Sequence, residues 1–116
     1  MNNKFYISYE AARLLKEKGY DRECISYYHD NCEEVDYSFC GERNSTWEER
    51  CVSAPTKAEA IDWLDSKGVI VEFQYYQESS TWSYAIYCIC YMSSDEEFQT
   101  RLEAEEAAII KALELL

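Results

Sequence analysis

Three things are scarce in this 116-residue sequence: glycine, with three residues, proline, with one, and basic side chains, with 11 against 23 acidic ones. The shortage of glycine and proline excludes flexible linkers and low-complexity tracts, and no internal repeat is present, so residues 1–116 read as one domain. The shortage of basic residues leaves a formal net charge of −12, which repels nucleic-acid phosphates and anionic membranes over about 10 Å at ordinary ionic strength. Direct nucleic-acid binding and membrane binding are therefore not expected. The charge favours solubility and, more specifically, a basic protein partner or a surface that imitates nucleic acid.

Long apolar runs are also missing. No segment approaches the roughly 20 apolar residues that span a bilayer, and the first residues lack the apolar stretch of a signal peptide. This predicts a cytoplasmic protein whose six cysteines (24, 32, 40, 51, 88 and 90) are reduced thiols. Catalytic signatures are equally thin: one histidine, no Gly-x-Ser-x-Gly elbow, no phosphate-cradling loop and no His-Glu-x-x-His helix. The expectation is a chain without enzymatic activity or cofactor. An acid-base hydrolase would have only a carboxylate in a pocket between helices and sheet to work with.

What is present is a core, with 47% apolar and 16% aromatic residues, which excludes disorder as the resting state. Ser8 is a good N-cap, Ile7 stands where it can staple onto Ala12, and Gly19 is a stop, which predicts a first helix. Residues 24–28 and 35–40 alternate with period two around a turn-rich stretch, predicting an edge hairpin. Gly41 to Ser45 reads as a loop, with a short strand within Trp47 to Val52. Thr56-Lys-Ala-Glu59 after Pro55 is a capping box that opens a second helix ending at Gly68. Residues 69–76 and 82–92 form the strongest hairpin, its second strand apolar on both faces and so central. Ser94-Asp-Glu-Glu97 reads as another capping box, starting a long final helix through Phe98, Leu102, Ile109, Leu113 and Leu116. The fold class is α+β: an antiparallel sheet of about four to five strands in two hairpins, packed on three helices in the order α-β-β-(β)-α-β-β-α.

Two constellations stand out chemically. Cys24, His29, Cys32 and Cys40 are of the types zinc prefers, yet only His29 and Cys32 have the usual close spacing, and Cys24 and His29 would point to opposite faces of a strand. Cys88 and Cys90 share a strand face and form a second thiol pair. These define a metal-binding or thiol redox alternative. The tyrosines of the strong hairpin, Tyr75, Tyr76, Tyr84, Tyr87 and Tyr91, suggest instead a protein-binding surface, because a nucleotide platform would want basic residues among its aromatics. A second copy of the chain is one partner such a sheet face would accept.

In order, Tyr6-Ile-Ser-Tyr-Glu-Ala-Ala-Arg-Leu-Leu-Lys-Glu-Lys-Gly-Tyr20, a Cys followed by a Tyr-Tyr pair, Ser53-Ala-Pro-Thr56 opening a helix with Trp63-Leu64, and Glu105-Glu-Ala-Ala-Ile-Ile-Lys-Ala-Leu-Glu-Leu-Leu116 resemble small uncharacterised proteins encoded by phages and prophages of anaerobic gut bacteria. The resemblance covers most of the chain and rests on scaffold motifs. It implies a phage accessory protein in the host cytoplasm and carries no catalytic residue. The cysteines at 32, 40, 88 and 90 lie outside the shared pattern.

Overall fold

The computed structural model describes residues 3–30, 32–47, 51–88, 91–93 and 96–116. Helix α1 spans Tyr9–Glu17, and the Ser8 side chain caps it by accepting from the Ala11 amide at 3.2 Å. Ala11, Ala12 and Leu15 form its buried stripe. Gly19 ends it at φ +97°, a conformation that a Cβ would strain. Helix α2, Lys57–Ser66, carries both halves of the predicted capping box: the Glu59 amide donates to Thr56 Oγ1 at 3.2 Å, and the Thr56 amide donates to Glu59 Oε1 at 2.9 Å.

Among the described residues there are six strands, one more than predicted, and they divide between two antiparallel three-stranded sheets. The first sheet contains β1 (Cys24–His29), β2 (Asp36–Glu42) and β3 (Cys51–Ser53), in the order β2-β1-β3. Its hairpin is not wholly at an edge. Because β3 pairs with the free side of β1, β1 becomes central and β2 remains outside. Gly41 lies in β2 rather than in a loop, because a register shift lets Cys24 pair with Glu42 and so prolongs the strand.

The second sheet contains β4 (Ile70–Tyr76), β5 (Thr81–Tyr87) and β6 (Tyr91–Ser93), in the order β4-β5-β6. The segment predicted as one strand from Trp82 to Met92 breaks after Tyr87 and folds back as β6, which pairs with β5. The final helix is also displaced. Helix α3 spans Arg101–Leu115 and is capped by Thr100, whose Oγ1 accepts from the Glu103 amide at 3.2 Å. Phe98 is extended instead of helical, since it exchanges two backbone hydrogen bonds of 2.7 and 2.8 Å with Trp82. Glu97 cannot complete the predicted box, because its carboxylate accepts from Ser79 and Thr81; these bonds also hold its pKa below the usual carboxylate range. Ser94 and Asp95 of that predicted box lie outside the described residues.

Helix α3 joins the halves, packing on α1, α2, β4 and β5, while α1 packs on β3. The core between them contains Leu15, Tyr20, Tyr28, Trp63, Leu64, Ile86, Ile109 and Leu113, all at most 4% exposed. Each such side chain contributes roughly 1.5–3 kcal/mol by leaving water. Among the described residues no helix is long and apolar enough to cross a membrane.

Candidate functional site

Where α1, α2 and α3 meet the amino-terminal segment, a cluster of polar groups is buried. Lys57, at the start of α2, is 5% exposed, and its ammonium donates to the carbonyls of Lys4 and, at 3.0 Å, Tyr6. Glu106 on α3 lies 4.0 Å from that ammonium and accepts from the Ser8 amide at 3.0 Å and the Ser8 hydroxyl at 2.6 Å. Tyr28 on β1 donates to the Ile7 carbonyl at 2.7 Å. Burial lowers the Lys57 pKa, and the opposing attraction of Glu106 and Glu105 is the smaller effect. Burial pushes Tyr28 up to about 12. Two clefts, of about 500 and about 670 Å³, flank this cluster and share Lys4, Lys57 and Glu106. The Lys57 donors and the Glu106 acceptors already have protein partners. The cluster is therefore a latch holding residues 4–8 against the helices.

The tyrosines proposed for partner binding divide between the two faces of the second sheet. Tyr75 pairs with Trp82 and Phe73 with Tyr84, so Tyr75 and Tyr84 share the face that packs on α3. There Arg101 of α3 stands over both the Phe73 and Trp82 rings, at 5.4 and 5.7 Å. Tyr76 and Tyr87 lie on the opposite face with Ile70, Glu72 and Gln74, and in β6 Tyr91 pairs with Tyr87. Ile70, Tyr76 and Tyr87 are 40–42% exposed. Ile70 and Tyr87 are paired at one end, and Tyr76 stands at the other, about 20 Å away by strand rise.

The proposed metal set is not assembled. Cys24 opens β1 and His29 closes it, about 16 Å apart at strand rise, with Cys24 on the buried face and His29 exposed. Cys40 is exposed on β2, and Cys32 is half-buried beyond β1. Among the described residues no group of three His, Cys, Asp or Glu side chains is placed to hold a metal. Of the second thiol pair, Cys88 sits in the bend after β5, and Cys90 lies outside the described residues.

His29 instead faces a cysteine that sequence reasoning missed. On the outer face of the first sheet His29 is opposite Cys51 of β3, with Cys51 Sγ 3.7 Å from His29 Nδ1. Asp36 Oδ2 of β2 is 3.7 Å from His29 Nε2. Tyr27 packs edge-on to His29 at 5.1 Å and against Trp47 at 4.6 Å, and the Trp47 indole donates to Ser53 Oγ at 2.6 Å. A thiol, an imidazole and a carboxylate on three adjacent strands is an arrangement that can withdraw a proton from sulfur. Only the register of β3 on β1 creates it, and no spacing motif in the sequence signals that register.

Comparison with protein-family models, with curated proteins and with solved structures finds no match to this chain.

Proposed function

We propose that the chain is a non-enzymatic accessory protein of phage or prophage type, working in a host cytoplasm, which binds a basic protein through the face of its second sheet turned away from α3. The observation carrying this reading is the exposure of Ile70, Tyr76 and Tyr87 on one sheet face, with Glu72 among them. Aromatic rings there offer contact area at low entropic cost, and the net charge of −12 selects against acidic partners. The latch residues support it indirectly, since their polar groups are engaged in holding the fold.

The test is capture from bacterial lysate on the immobilised chain, in parallel with Tyr87→Ser. The expected result is a basic protein held at low salt, released near about 0.5 M salt where screening is nearly complete, and not held by the variant. Equal capture by the variant overturns the reading.

A second reading, a thiol module, is favoured by the 3.7 Å approach of Cys51 Sγ to His29 Nδ1. Cysteine-resolved alkylation in the wild type and in His29→Gln tests it. The variant is expected to slow Cys51 and leave Cys40 unchanged; an unaltered Cys51 rate removes the reading.

A further inference from the structure

Strand β4 is an outer strand, hydrogen-bonded only to β5 within its sheet. Which of its backbone groups face outward follows from β5. Trp82 exchanges both of its backbone hydrogen bonds with Phe98, on the side of β5 away from β4. Tyr75, opposite Trp82, is therefore in a non-hydrogen-bonded pair, and alternation assigns Phe73 and Val71 to the same class. The N–H and C=O groups of Val71, Phe73 and Tyr75 thus point out of the sheet, and no hydrogen bond reaches them among the described residues. Folded proteins usually guard such an edge with lysine, proline, a bulge or shortness. The segment Ile70-Val-Glu-Phe-Gln-Tyr-Tyr76 runs seven residues, without lysine or proline and with a single charge, Glu72.

We propose that two copies of the chain pair edge to edge through β4, antiparallel about a two-fold axis at Phe73, so that their three-stranded second sheets become one six-stranded sheet. The strand is chemically self-complementary about that residue. Phe73 meets Phe73, and Val71 meets Tyr75, so all three outward-facing residues of each copy form hydrogen-bonded pairs, six bonds in all. On the face away from α3, Ile70 meets Tyr76, so two exposed apolar groups cover each other as a β-branched and aromatic pair. Glu72 meets Gln74. Moving the axis to Glu72 would oppose two Glu72 carboxylates and leave Tyr75 without an outward-facing partner; moving it to Gln74 would strand Val71 in the same way. The isologous symmetry closes the assembly at two chains, because each β4 edge is consumed once.

This interface runs along the β4 edge and shares Ile70 and Tyr76 with the binding face of the proposed function, leaving Tyr87 outside it, and it has the opposite salt response. Each chain carries −12, so screening helps two copies approach while weakening attachment to a basic protein.

Sedimentation velocity on the full chain from about 5 µM to about 1 mM, at low and high salt, tests the proposal, because a small interface of this kind associates in the micromolar range. The expected result is a monomer–dimer equilibrium strengthened by salt, with the Val71, Phe73 and Tyr75 amides exchanging more slowly as dimer forms. Two substitutions at the exposed residue 74 check the register without touching the core. Gln74→Glu sets two carboxylate pairs against each other and should weaken the dimer by about tenfold, whereas Gln74→Lys sets each ammonium against Glu72 and should tighten it severalfold. A monomer throughout the range, with amide exchange at Val71, Phe73 and Tyr75 independent of concentration, overturns the proposal. So does a dimer indifferent to both substitutions.

Discussion

The two sheets are alike in size and in antiparallel pairing and differ in how their polar groups are matched. In the first, the central strand β1 is bonded on both sides, Ser26 donates to the Ala54 carbonyl at 2.7 Å, and Tyr28 donates to that of Ile7. On its outer face Trp47 donates to Ser53 and His29 stands beside Cys51 and Asp36, although Ile25 is exposed there, and on its inner face Tyr37 donates to Tyr6 at 3.1 Å. In the second, one face is held by α3, while the other face and the β4 edge present apolar rings and unmatched amides. The first sheet also has an outer strand, β2, but that edge carries a register shift and the carboxylates Asp36 and Glu42, so the sheet reads as scaffold. A sheet left open at an edge and on a face is where association is to be sought.

The largest test of that comparison strikes what the halves share. Ile109, wholly buried on α3, should lose about 2–5 kcal/mol of stability on replacement by alanine, and fluorescence and circular dichroism should report one coincident unfolding transition. Separate transitions would mean that the sheets are independent units. Next comes the latch on the first-sheet side. Lys57→Ala leaves two carbonyls and the Glu106 carboxylate without their cation, for a loss of about 2–4 kcal/mol in denaturant unfolding.

Smaller effects separate the two sheets by their tyrosines. Tyr28→Phe removes a buried hydrogen bond and should cost about 1 kcal/mol, whereas Tyr76→Phe, on the open face, should stay within about 0.5 kcal/mol. Alkali sharpens the contrast. Tyr28 and Tyr6 are raised from 10.0 to about 12, by burial for Tyr28 and first by the Tyr37 hydrogen bond for Tyr6. A raised phenol favours the protonated folded state, so their contribution is whole below pH 10 and is lost as pH climbs from 10 towards 12. Urea midpoints should be level at neutral pH and fall above pH 10, with a shallower fall in Tyr28→Phe.

Much of this was legible in advance where the signal is local. The caps at Ser8 and Thr56 form as their residue types demand, because a hydroxyl accepts an amide three residues on whatever lies further off. The expected helical start of Phe98 was the misleading case. Thr100-Arg-Leu-Glu103 has the same pattern as the box predicted at Ser94, and it is the one that caps α3, because the Trp82 backbone holds Phe98 extended. The candidate sites fared by the same rule. Period two correctly set Cys24 and His29 on opposite faces, but it could not reveal that β3 would bring Cys51 to His29, or that Tyr75 and Tyr84 would turn towards α3.

By itself, then, the sequence determined the charge, the α+β class, the order of elements apart from β6, and the capped starts of the first two helices. These depend on composition and on contacts within a few residues. Only the tertiary structure decided that the strands form two sheets, that Lys57 and Glu106 meet across the latch, that His29 pairs with Cys51, and which face and edge of the second sheet stay open. Strand register and helix docking bring together residues as far apart as Ser8 and Glu106, and they are set by how the whole chain buries its core at once, which no local pattern encodes.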